Sequence, residues 1–187
     1  AAGYSWGISE EIGKSVRLLE LFSLPGVRSL NEYFNERNNN KFDNLNSISQ
    51  KNISTHNPFC PIILGVSFLD EVNKLEHIKK IEFKNVAYPL LMLPFLSRSS
   101  EIIGKKISVK INENQIFLNL NVNICSDLIN NEFPKIAGNF EINIIDNKDN
   151  FTEKEWKNLY KLSEETFVEE SDSLKQGGAG AGLTDND

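Results

Sequence analysis

Ile8, Ile12, Val16, Leu19 and Phe22 recur at steps of three and four residues, with Glu10, Glu11, Lys14 and Arg17 between them. A repeat near 3.6 gathers those apolar side chains on one stripe, so the first segment is predicted as an amphipathic helix. It ends at "LPG" (24–26), where the proline cannot continue the helix and the glycine tolerates a turn. A second, short helix is expected from "SLNE", with Ser29 and Glu32 as a capping box and Leu30, Tyr33 and Phe34 as its buried side. From Asn35 to Asn57 the composition changes to Asn, Ser, Lys and Gln. Phe42, Leu45, Ile48 and Ile53 are too sparse there for either period, and residues 36–57 are read as a loop or disordered insertion.

"CPIILGVSF" (60–68) is a nearly continuous apolar run with β-branched members and reads as a central strand. "KKIEFKNVA" follows as an alternating strand with Ile81 and Phe83 on one face. "YPLLMLPFLSRSSEIIGKK" reads as a helix that starts at Pro89 or Pro94 and stops at Gly104. Ile107, Val109 and Ile111, then Ile116, Leu118, Leu120, Val122 and Ile124, alternate with polar residues around an "NEN" turn, which predicts a hairpin with one buried face. Phe140, Ile142 and Ile144 give another strand. A last helix opens at "TEKE", a capping box of Thr152 and Glu155, and carries Trp156, Leu159, Tyr160 and Phe167 on one side.

This order lacks a regular βα alternation, so the expected class is α+β. The expected architecture is a mostly antiparallel sheet of about five strands packed by an N-terminal, a central and a C-terminal helix. Residues 1–168 are read as a single domain and 169–187 as a glycine-rich acidic tail.

The net charge of −6 over 187 residues, with no Lys/Arg cluster, argues against a nucleic-acid partner. The longest apolar run, "YPLLMLPFL", is about half of the ~20 residues a membrane-spanning helix needs, so no membrane partner is expected. Cys60 and Cys125 lack a CxxC arrangement and nothing at the start resembles a signal segment, which points to a reducing cytoplasm. In that compartment the sequons at Asn52 and Asn150 would carry no meaning. A chain that opens on Ala rather than Met is expected to have lost a leading segment.

The glycines of "QGGAGAGLTDND" satisfy neither the dinucleotide fingerprint nor the phosphate loop. Leu183 stands where the first needs its last glycine, and it also follows Gly182 where the second needs lysine. Asp185, Asn186, Asp187 and the terminal carboxylate could accept hydrogen bonds or meet a hard cation, as a free terminus or as a tail docked on its own body or a partner. His56 and Cys60, four positions apart where the long loop meets the first apolar run, could pair as base and thiolate nucleophile; a buried structural cysteine fits the same residues. Arg98 could pair with a carboxylate ligand or mark where its helix surfaces. Ser5, Trp6 and Gly7 could form an amide-rich anion site at the first helix, or simply its cap and a core residue. His77 reads as a solvated residue, no metal set is recognisable, and the cofactor is unknown.

"AAGYSWGISEEIGKSVRLLELFSLPG", "NPFCPIILG", "YPLLMLPFLSR" and "GAGAGLTDND" together resemble a bacterial domain-of-unknown-function family, number 3726. The resemblance implies no reaction. It implies that a further helical stretch precedes the opening block. It also implies that the tail is a docking element, with Gly178, Gly180, Gly182 and Asp185 to Asp187 as contact residues.

Two functions remain. One is a small-molecule-metabolism enzyme or enzyme subunit acting on a small polar metabolite, with Cys60, Arg98, the Ser5 to Gly7 turn and the docked tail converging on one concave site. The other is a non-catalytic interaction or assembly module, an oligomer or protein partner engaged through the tail.

Overall fold

The computed structural model describes residues 3–45, 47–118, 124–126, 133–146 and 148–166. The chain divides into two compact units, Ala1–Asn147 and Lys148–Asp187.

Helix α1 (Trp6–Leu21) follows the predicted stripe: Ile12 and Leu19 are buried, and Ile8 and Val16 pack against the core from its edge. Ser5 caps it by accepting the Ile8 N–H at 3.4 Å. Helix α2 (Gly26–Arg37) then begins directly behind Pro25. Ser29 is inside it, donating its amide to Pro25 O at 3.0 Å, so the expected capping box at Ser29 and Glu32 does not form. The reason is the close approach of the two helices. A Cβ on Gly26 would stand 2.8 Å from Leu19 Cβ, so glycine lets α2 start a turn early. Tyr33 is fully buried, with Leu30 and Phe34 beside the core.

The segment after α2 is irregular but packed. Ile48 belongs to the core, Phe42 and Leu45 pack against it half-buried, and strand β1 (Lys51–Ile53) pairs parallel to β2 (Lys80–Ala87). Asp43 accepts from Ser54 Oγ at 2.8 Å and Asn57 Nδ2 at 3.0 Å. Polar side chains therefore fix this stretch where no apolar period announces it.

The run at 60–68 is helical, not a strand: α3 spans Pro61–Leu75. Pro61 sits in the first turn, where its missing N–H is no loss, and Cys60 occupies the cap. The buried set Leu64, Phe68, Val72 and Leu75 extends the apolar stripe beyond residue 68 at helical spacing. The two prolines that follow are both used. After Tyr88, left-handed at φ 42, Pro89–Met92 form a 3-10 turn. Helix α4 (Leu93–Ile103) then takes Pro94 in its first turn and ends at Gly104, φ 65.

Strands β3 (Lys106–Ile111), β4 (Asn114–Leu118), β5 (Ile124–Ser126) and β6 (Ile136–Ile145) complete the sheet, in the order β1-β2-β6-β3-β4-β5. Every pairing except β1 with β2 is antiparallel, and β6 lies between β2 and β3 with Phe83 opposite Phe140 and Val109 opposite Ile142. The described residues thus hold one strand more than the expected five. Leu120 and Val122 lie outside them. The inner face, including Ile81, Ile107, Ile116 and Ile142, joins α3 and the 3-10 turn in one core. The outer face is polar, with Lys80 bridging Glu82 at 2.9 Å and Glu141 at 2.8 Å.

In the second unit, α5 (Glu153–Glu164) starts on the predicted capping box. Thr152 N donates to Glu155 Oε2 at 2.7 Å, and Glu155 N returns to Thr152 Oγ1 at 3.3 Å. Trp156, Leu159 and Tyr160 are exposed; Phe167 lies outside the described residues. No helix among the described residues is long and apolar enough to cross a membrane.

Candidate functional site

The start of α1, the end of α2, residues 40–44 and the first turn of α3 enclose an open cleft of about 440 Å³. Tyr4, just before the α1 cap, and Tyr33, on the buried side of α2, meet there with hydroxyls 2.8 Å apart. Both reach Cys60, whose Sγ lies 3.1 Å from Tyr33 Oη and 3.5 Å from Tyr4 Oη. The Ile63 amide donates to the same sulfur at 3.5 Å. Burial, with Cys60 beside them, pushes both phenols well above the usual tyrosine range, so both stay protonated and able to donate.

Around this centre Tyr33 packs against Phe34, Phe42 and Tyr88, with ring centroids 5.2 to 5.8 Å apart. Tyr88 keeps its hydroxyl beside the Glu36 carboxylate without reaching hydrogen-bond geometry; burial, then Glu36, pushes it up to about 12. At the cleft wall the Arg37 guanidinium lies 4.5 Å over the Tyr4 ring, and Lys41 stands at the rim. The Asn57 and Ser54 side chains that donate to Asp43 hold its carboxyl below the usual 3.8.

Of the residues singled out in the sequence, Ser5 and Cys60 share this cleft. Trp6 is 82% exposed, and Gly7 lies in the first turn of α1. Neither lines the cleft. His56 is not the partner of Cys60: its Nδ1 shares a 2.7 Å hydrogen bond with Thr55 Oγ1, and the sulfur faces tyrosines instead. Arg98 bonds Glu11 and ties α4 to α1, so it does not join the cleft either. Gly178, Gly180, Gly182, Asp185 and Asp187 lie outside the described residues.

Tyr4, Tyr33, Arg37 and Asp43 carry no motif that marks them in the sequence as site residues. The one signal for Tyr33 was its place on the apolar side of α2. A smaller depression of about 260 Å³ on the outer sheet face is lined by Glu82 and Glu141, both already paired with Lys80, and reads as solvated surface. Among the described residues no group of three His, Cys, Asp or Glu could hold a metal ion.

Residues 1–59 match the model of a family described as "Protein of unknown function (DUF3726)". The matched stretch carries Tyr4, Ser5, Tyr33, Arg37 and Asp43 and ends one residue before Cys60. Comparison with curated proteins and with solved structures gives no match.

Proposed function

We propose that this chain, whose residues 1–59 match the model of a family of unknown function, is a small-molecule enzyme or enzyme subunit with Cys60 as its reacting group. The observation that carries this is the sulfur at the cleft wall, within hydrogen-bond distance of two tyrosine hydroxyls and accepting from a helix amide. Because the two hydroxyls also share a hydrogen bond with each other, one phenol proton and the Ile63 amide are left to point into the site, where they would meet charge that develops on a substrate oxygen bound there. Capping alone does not call for sulfur: serine, threonine, asparagine and aspartate are the preferred caps, and a thiol accepts weakly. The tail lies outside the described residues, so the proposal rests on the cleft alone.

The test is alkylation of the folded Cys125→Ser protein by iodoacetamide, read by mass spectrometry, since Cys125 is exposed and would react as well. The expected result is stoichiometric modification at Cys60, slowed in Tyr33→Phe. A thiol that stays intact until the chain unfolds would reduce Cys60 to a packing residue.

A further inference from the structure

We infer that the cleft takes a small anion presenting a carboxylate or phosphate group; this rests on the cleft being the functional site and goes on to name its ligand. The chain as a whole carries −6, yet this wall carries an excess of positive charge. Arg37 and Lys41 face it against one carboxylate, Asp43. Asp43 is already engaged, one oxygen accepting from Ser54 and the other from Asn57, so its charge serves the loop.

Lys80, Lys105 and Lys135 are each held between two carboxylates; Lys41, like Lys51, Lys74 and Lys110, makes no ion pair among the described residues, and of these four it is the one that lines the cleft. The neutral groups agree with the charged ones. The Tyr4 and Tyr33 hydroxyls stay protonated, and α1 and α3, of 16 and 15 residues, both begin at this wall. A helix start carries roughly half a positive charge, an addition to the two side chains rather than a substitute for them. Asp43 is thus the one carboxylate of the wall, and the remaining polar side chains there are cations or neutral groups able to donate, which suits an acceptor-rich anion.

The experiment is a titration of the Cys125→Ser protein with sodium phosphate and, separately, sodium acetate. Ionic strength is held constant with sodium chloride, and the Ile8 and Ile63 amides are followed by heteronuclear NMR. Saturating shifts at these amides with phosphate, acetate or both are expected, and the arm that saturates at lower concentration identifies the group. Arg37→Gln with Lys41→Gln should weaken binding at least ~10-fold, the loss of one hydrogen bond to a charged group. Where the double variant loses spectral dispersion, Lys41→Gln alone serves, because that side chain is exposed. Shifts that stay linear in both arms, or binding unchanged in the variants, would overturn the inference. Saturation together with an unreactive Cys60 keeps the anion site and sinks the catalytic proposal; a reactive Cys60 with no saturation does the reverse.

Discussion

The body of α3 and its cap residue meet opposite surroundings. Leu64, Phe68, Val72 and Leu75 are sealed in hydrocarbon against α4 and the sheet. One turn earlier, Cys60 is as deeply buried but faces hydroxyls and an amide at the wall of an open cleft. Burial alone therefore does not distinguish a packing residue from a site residue; the chemistry of the neighbours does. Apolar surroundings stabilise through area removed from water, while polar surroundings at equal depth must each find a partner and contribute less net stability.

Breaking the body should have the largest effect. Phe68→Ala removes a fully buried ring and is expected to cost about 3–5 kcal/mol in urea unfolding. Gly65→Ala comes next. A Cβ there would lie 2.4 Å from Phe95 Cδ2, and the overpacking of about 1–3 kcal/mol should exceed the gain of up to ~1 kcal/mol in helix propensity, lowering the melting temperature.

At the other end of the helix, Tyr33→Phe should cost about 1 kcal/mol while visibly slowing Cys60 alkylation, a split that no body variant should show. Acid sharpens the same contrast. Asp43 has a folded pKa below its unfolded one, so its stabilising contribution is complete above about pH 4 and is lost as pH falls through the folded value. Unfolding midpoints measured from pH 7 to pH 3 should therefore drop at the acid end, and less steeply in Asp43→Asn. Lys80→Ala on the outer sheet face should move the midpoint least, because exposed ion pairs contribute little.

What the sequence made legible was local. The stripe of α1, the Ile107 to Leu118 hairpin and the Thr152 box each declare themselves within a dozen residues, through a period or a cap. The 60–68 run failed because an almost unbroken apolar stretch carries no period. Only Pro61 in a first turn and the continuation to Val72 and Leu75 separate helix from strand. The site was half visible. Ser5 and Cys60 stood out by type and by their place at element starts. Their partners did not, since Tyr33 meets Cys60 across 27 positions and Tyr4 across 56, a closeness set by how α1 and α2 pack. Asp43 sits in a segment whose order comes from side chains bonding to one another, for which composition has no signature.

Tyr88 bends the chain through a left-handed conformation that costs a residue with a side chain roughly 1–2 kcal/mol. Its amide is anchored on Lys135 O at 2.7 Å and its ring leans edge-on against Tyr33, 5.8 Å away. The elbow that delivers Pro89 to the interior and the wall that presents Cys60 thus share a single aromatic ring. The placement of the Tyr33 hydroxyl at Cys60 and the left-handed turn at Tyr88 therefore rest on one packing contact.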